Sequence, residues 1–166
     1  SWRRCQFASV DPGQLQAPIT ISGGKLYQLR DQCAELLGAS TPVMAQARTF
    51  LSETGTVMVL TDTHGTVLSM EGDLRTLGAA ESVHLLAGAN WSEGASGTNA
   101  IGTTLSVGQP VQIHSAEHYC EGIKRWSCSA TVIRDSLDGT PLGSIDVSGL
   151  TGSYSRHTLA LVVSTA

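Results

Sequence analysis

The stretch Thr56-Val57-Met58-Val59-Leu60-Thr61-Asp62-Thr63-His64-Gly65-Thr66-Val67-Leu68-Ser69 decides the fold class. Its first six residues are β-branched or apolar, Asp62 to Gly65 have the composition of a turn, and Thr66 to Ser69 return to strand formers. The whole reads as a β-hairpin. The segments before it have a different period. Leu26, Leu29, Cys33 and Leu36-Leu37 recur at helical spacing, which predicts a helix over residues 25–37 stopped by Gly38. Ser40 or Thr41 can cap a second helix reaching about Ser52, with Pro42 near its first position and Val43, Ala47, Phe50 and Leu51 on its apolar face. Residues 1–24 carry Pro12, Gly13, Pro18, Gly23 and Gly24 and read as an irregular lead-in.

Downstream of the hairpin the pattern continues as a mixture. A short helix fits Asp73 to Ala80, and another fits Thr98 to about Val107. Pro110 to Ile113 is a short strand, and His114 to Trp126 is a polar helix or ordered loop. Ser127 to Arg134 is strongly strand-like, Leu137 to Thr140 is a turn, and Pro141 to Val147 is the closing strand. Ser153 or Ser155 starts a terminal helix that the chain leaves unfinished. This order predicts an α+β domain: an antiparallel sheet with helices concentrated on one face and the excursion over the other.

Composition narrows the class of function. A chain of 166 residues, 41% of them hydrophobic, forms one globular domain. A formal net charge of −4 and the lack of any basic run argue against nonspecific nucleic-acid binding by this segment. No apolar stretch is long enough to span a bilayer and no secretory signal opens the chain, so the expected location is the cytoplasm, with no membrane partner. Cys5, Cys33, Cys120 and Cys128 are scattered, and reduced thiols are expected rather than a disulfide framework. There is no GxxxxGK[ST] loop for nucleoside triphosphate chemistry.

The run Asn90-Trp91-Ser92-Glu93-Gly94-Ala95-Ser96-Gly97-Thr98-Asn99-Ala100-Ile101-Gly102 joins an indole, a carboxylate and a Thr-Asn pair that can cap the helix that follows. Spacing alone leaves two readings open. It is a small-molecule site built at a helix start, or a loop that packs one tryptophan into the core.

Further blocks extend the pattern: Pro110-Val111, Glu117-His118-Tyr119, Cys128-Ser129-Ala130, Leu142-Gly143-Ser144-Ile145-Asp146-Val147-Ser148-Gly149, and the opening Ser1-Trp2-Arg3-Arg4-Cys5 with Asp11-Pro12. Together with the 91–102 run they resemble the GAF sensor domain of acetoin-catabolism-type, sigma-54-dependent bacterial transcriptional activators. The resemblance implies a GAF-like central antiparallel β-sheet, with N- and C-terminal helices on one face forming a dimer interface and a ligand pocket on the other, covered by helices and loops. It implies a lead-in over 1–24 and a sensor domain over 25–166 with a truncated C-terminal helix. The ATPase and DNA-binding domains of such regulators would lie outside this chain, so DNA and sigma-54 RNA polymerase would be reached only through them. A small-molecule effector and a second copy of the chain are the expected partners; no cofactor and no enzymatic activity are expected.

For the effector, Trp91 and Trp126 supply apolar walls, with Glu93, Asn99 and His118 as orienting groups; Thr98, Ile101, Cys120 and Cys128 complete the expected binding set. The structural alternatives are core packing for the rings, with a surface or partner interface also open to Trp126, a cap or surface contact for Glu93 and Asn99, and simple burial for the thiols. Asp146 is unusual in a strand, and the resemblance assigns it structural hydrogen bonding. A second reading concerns His114, His118, Cys120 and Cys128, whose residue types suit zinc, iron or copper. Their spacing, His-x3-His-x-Cys-x7-Cys, matches no closed structural-zinc pattern. The same thiols beside His118 admit a redox sensor, or an enzyme like the free methionine sulfoxide reductases built on GAF folds, in which one thiolate attacks the sulfoxide and the other resolves the intermediate. Against the enzyme, Gly97-Thr98-Asn99-Ala100 has no cysteine where those enzymes carry one.

Overall fold

The structure, a computed structural model, describes every residue except Tyr154, Arg156 and the side chain of Ser153. In chain order it contains α1 (Trp2–Phe7), α2 (Gly23–Gln32), α3 (Ala34–Phe50), β1 (Thr56–Thr61), β2 (Val67–Gly72), α4 (Leu74–Ser82), α5 (Glu93–Ser96), α6 (Ala100–Val107), β3 (Val111–His114), β4 (Trp126–Arg134), β5 (Pro141–Leu150) and α7 (His157–Thr165). The strands form an antiparallel sheet in the order β2-β1-β5-β4-β3. This is the expected α+β, GAF-like architecture.

The period-2 alternation of the strands sorts the core into two layers. From β1, Met58 and Leu60 join Ile145 and Val147 of β5 on one face, under Leu36, Met44 and Ala47 of α3 and Val162 of α7. Val57 and Val59 point the other way, toward Trp91, Ile101, Trp126 and Cys128. Helices α2, α3 and α7 therefore cover one face, and the 73–125 excursion together with α1 covers the other. The edge of β2 is protected from α2, where the Arg30 guanidinium donates to the Leu68 carbonyl at 2.9 and 2.6 Å.

Two local readings differ from the structure. The lead-in is not wholly irregular: it opens with α1, whose Cys5 is fully buried. Its apolar signal is a single buried turn, too short for periodicity to register. The helical break falls at Cys33, not Gly38, and α3 runs on through Gly38 and Pro42. Pro42 lies on an exposed side of the helix, as does Gly38 four residues earlier, so water can satisfy the carbonyl left without a donor. At the terminal helix, Ser155 stands where the sequence places a start: its Oγ accepts from the His157 N–H at 3.1 Å, as an N-cap does.

Candidate functional site

The 90–102 run satisfies its backbone needs locally. Asn99 is the N-cap of α6: its Oδ1 accepts from Gly102 N at 2.9 Å, and its amide donates to the Trp91 and Gly97 carbonyls at 2.9 and 2.8 Å. One side chain thus staples Trp91 to the helix start. Trp91 is 4% exposed, and its indole N–H donates to the His84 carbonyl. Both structural alternatives weighed from the sequence are realised, because the tryptophan is packed and the asparagine caps. Both residues nevertheless line a cavity.

That cavity lies on the sheet face opposite α3 and α7. Trp91, Asn99, Ile101, Trp126, Cys128, Asp146 and Ser148 contribute to its walls. Its free space in this conformation is about that of one water molecule. Register explains the polar floor. Asp146 of β5 lies across from Val59 and Ala130, and Ser148 lies across from Val57 and Cys128, so all of these share the cavity face.

Asp146 makes a structural hydrogen bond, as assigned, through one of its two oxygens. Its Oδ2 accepts from the Ser148 hydroxyl at 2.6 Å, but Oδ1, fully buried, has no hydrogen-bond partner among the described residues. Burial raises this carboxyl to about 7, against a smaller opposing effect of the Ser148 hydroxyl. Sequence reasoning missed it as a site residue. The available signal was the polar alternation Ser144, Asp146, Ser148 within an otherwise apolar strand.

Glu93 and Thr98 do not line the cavity; they lie beneath α1. The buried Glu93 carboxylate accepts from the Arg4 guanidinium, from the Ser1 hydroxyl, and from Thr103 Oγ1 at 2.7 Å. Thr98 Oγ1 stands beside the Ser1 hydroxyl and 3.4 Å from Cys5 Sγ. Burial works to raise the Glu93 carboxyl, but the Arg4, Ser1 and Thr103 donors together hold it below the usual carboxylate range. Arg4 is half-exposed, so solvent screens the Coulombic part and the hydrogen bonds to the buried carboxylate carry most of the effect. Glu93→Gln is expected to cost about 1–3 kcal/mol and to loosen α1. Trypsin should then cut after Arg4 several times faster than in the parent chain; an unchanged rate would separate Glu93 from the docking of α1.

His118 and Cys120 sit in the cover between β3 and β4. His118 is fully buried; the Ser115 carbonyl accepts from Nδ1, and Nε2 has no partner among the described residues. Burial lowers this imidazole to about 4, so the ring is neutral, with Nε2 as an acceptor. Burial pushes the Cys120 thiol up to about 11 and the Cys128 thiol well above its ordinary value, the reverse of what a thiolate nucleophile needs. His114 bonds instead to Ser127, and among the described residues no three His, Cys, Asp or Glu side chains gather to hold a metal ion.

The lead-in straps this cover down. Pro12 and Gln14 carbonyls accept from the Glu121 and Gly122 amides at 2.8 and 3.1 Å, and Cys120 Sγ–H donates to the Asp11 carbonyl at 3.6 Å. The Trp2 indole N–H donates to the Glu117 carbonyl at 3.0 Å, and its ring meets Tyr119 edge-on at a centroid separation of 5.3 Å. Residues far apart in sequence are thereby joined across the cover.

Comparison with known proteins agrees with this architecture. The closely superposable structure is the DhaR N-terminal region in the E. coli DhaR(N)–DhaL complex, with a TM-score of 0.93 at 22% identity, covering 100% of this chain and 56% of that one. The two share one GAF-like fold. The family described as MimR, N-terminal domain, matches residues 1–164, and the chain belongs to it. The acetoin dehydrogenase operon transcriptional activator AcoR of Bacillus subtilis is 33% identical over 100% of this chain and 27% of its own length. The propane 2-monooxygenase operon transcriptional activator MimR of Mycolicibacterium goodii is 31% identical over 89% of this chain and 24% of its own. The chain therefore spans about a quarter of the length of these relatives. They are regulators by name rather than enzymes. No described helix is long and apolar enough to cross a membrane.

Proposed function

We propose that this domain is the sensory module of a bacterial, cytoplasmic, sigma-54-dependent transcriptional activator, and that it binds a small-molecule effector in the cavity between Trp91 and Trp126. The observation that carries the reading is the cavity itself, placed on the face opposite the helical layer. Trp91, Asn99, Ile101, Trp126 and Cys128 form the contact set, while Glu93, Thr98, His118 and Cys120 act one step away, in the α1 dock and the cover. The space now available admits about one water molecule, so an effector enters only when the 115–125 cover lifts against its strap. Binding then shifts the population between closed and open arrangements in proportion to the effector's preference for one of them.

Residues 25–166 form the sensor proper, and 1–24 act as the strap. The signal leaves through a homodimer built on the helical face, a reading supported by the apolar side chains exposed there: Tyr27 on α2, Phe50 on α3, and Leu161 and Val163 on α7. Output to DNA and polymerase belongs to other domains of the parent regulator. The redox and sulfoxide-reductase reading finds less support, because both thiols are held protonated.

A thermal-shift screen of small metabolites tests the pocket. An effector present at a hundred times its Kd should add about 2.7 kcal/mol, or roughly 5–10 °C in melting temperature for a domain of this size. Ala100→Leu, which fills the cavity from α6, should abolish that shift. Retention of the full shift in Ala100→Leu would place the effector elsewhere.

A further inference from the structure

A buried carboxyl with one satisfied oxygen and one orphan is costly unless something else completes it. Asp146 is in that position: Ser148 holds Oδ2, whereas Oδ1 has no partner among the described residues, and the side chain lines the cavity floor. The surrounding walls are indole, aliphatic and thiol groups, with the Asn99 amide and the Ser148 hydroxyl already engaged in hydrogen bonds. Among the described residues no lysine or arginine lines this cavity.

We propose that Asp146 is the specificity-determining residue of the effector pocket and that, as the neutral acid, it donates a hydrogen bond from Oδ1 to an oxygen acceptor on a small, uncharged, otherwise apolar ligand. The inference rests on the pocket reading given above and adds the chemistry of its recognition. Geometry sets the direction of the bond. The Ser148 hydroxyl donates to Oδ2, so the carboxyl proton belongs on Oδ1, the oxygen without a partner. An ionised Asp146 would need a cation beside it, and the titratable neighbour across β4 is Cys128, whose thiol burial keeps protonated. The facing residues of β1 and β4, Val59 and Ala130, carry no charge. Such a floor discriminates against carboxylates and phosphates, which would add a second acceptor charge to the site, and it offers an ammonium ion a partner only after Asp146 has lost its proton.

The pH dependence follows. Burial places the carboxyl near 7, and a ligand that accepts its proton's hydrogen bond holds it higher still. Affinity for an oxygen acceptor should be flat in mild acid and fall toward about tenfold per pH unit once the carboxyl ionises.

The experiment uses three probes of one shape: methyl ethyl ketone, its hydrocarbon isostere with C=CH2 in place of C=O, and sec-butylammonium. Binding is read from methyl resonances of Ile101, Ile123 and Val83 in the parent chain and in Asp146→Asn and Asp146→Val, each first checked for a folded spectrum. In Asp146→Asn the Ser148 hydroxyl still has an oxygen to donate to, which leaves the amide N–H group where Oδ1–H stood. The ketone should bind the parent chain about tenfold more tightly than the hydrocarbon at pH 6 and lose that advantage at pH 9. Asp146→Asn should keep the preference at both pH values, and Asp146→Val should reverse it toward the hydrocarbon. Tighter binding of sec-butylammonium with rising pH would overturn the proposal in favour of a carboxylate anchor. Equal ketone binding by the parent chain and both variants would remove Asp146 from recognition while leaving the pocket intact. If no probe moves any of these methyl resonances, the pocket reading itself fails, and the inference fails with it.

Discussion

Asp146→Asn should make the folded domain more stable, by at most about 4 kcal/mol above pH 8. The carboxyl is raised from an ordinary value of 3.8 to about 7 by burial, so between those pH values the unfolded chain releases a proton that the folded chain keeps. Stability therefore falls as pH rises from about 4 to about 7, and the full loss stands above that. Three pKa units at about 1.36 kcal/mol each set the ceiling. Asparagine removes the ionisation and keeps an oxygen for Ser148, so the gain should be small near pH 4 and largest in alkali. His118 supplies the opposing slope. Its imidazole is lowered from 6.5 to about 4, so its contribution is present above 6.5 and is lost as pH falls toward 4. The two effects cancel over much of that range in the parent chain. Urea unfolding from pH 4 to 9 should give a nearly flat acid limb for the parent chain, and a limb rising with pH for Asp146→Asn. A variant no more stable than the parent at pH 8 would mean that the carboxyl is not held in a dry environment.

Gly102→Ala should be the most damaging single-methyl change in the 90–102 run. A Cβ at Gly102 would stand 2.5 Å from the Glu93 amide nitrogen and 2.6 Å from the Trp91 carbonyl oxygen. Both are backbone atoms, so no rotamer change relieves the clash and α6 must withdraw from the Trp91–Glu93 segment. That withdrawal would stretch the Asn99 bonds to Gly102 and Trp91 and open the cavity wall at Ile101. The expected cost is about 3 kcal/mol or more. Gly78→Ala is the control: it lies within α4 with nothing within 4 Å of a new Cβ, and should stabilise by about 0.5–1 kcal/mol. Similar melting temperatures for the two variants would contradict the close seating of α6.

Where local signals dominate, the sequence is a faithful guide. The β1–β2 hairpin, the Asp73-capped α4 and the Asn99-capped α6 all stand where residue types place them, because turn and cap chemistry acts within four residues. The division of the sheet into a helix-covered face and a cavity face also follows from the alternation of Val57 and Val59 with Met58 and Leu60. Long-range pairings are less legible. The bond of Glu93 with Arg4 crosses 89 residues, and nothing near either residue announces the other. Trp91, Asn99, Ile101, Trp126 and Cys128 meet around one cavity, whereas Glu93 and Thr98 lie beneath α1 and His118 and Cys120 lie in the cover, a division that long-range packing decides. Asp146 is the instructive omission. A lone carboxylate in a strand reads as structural until the register shows its neighbours to be Val59, Ala130 and Ser148, and one of its oxygens to be unclaimed. The continuity of α3 was hidden by Gly38 and Pro42, which punctuate a helix only where packing does not override them.

The central claim is that a small effector is held on the cavity face of the sheet. It is tested most directly by a methyl-labelled spectrum of the domain titrated with a stabilising metabolite from the thermal screen. Saturable shifts should appear at Val83, Leu85, Ala100, Ile101 and Ile123, which line the cavity, before they appear at Leu36 and Val162 on the opposite face. Saturable shifts confined to Leu36 and Val162 would contradict it.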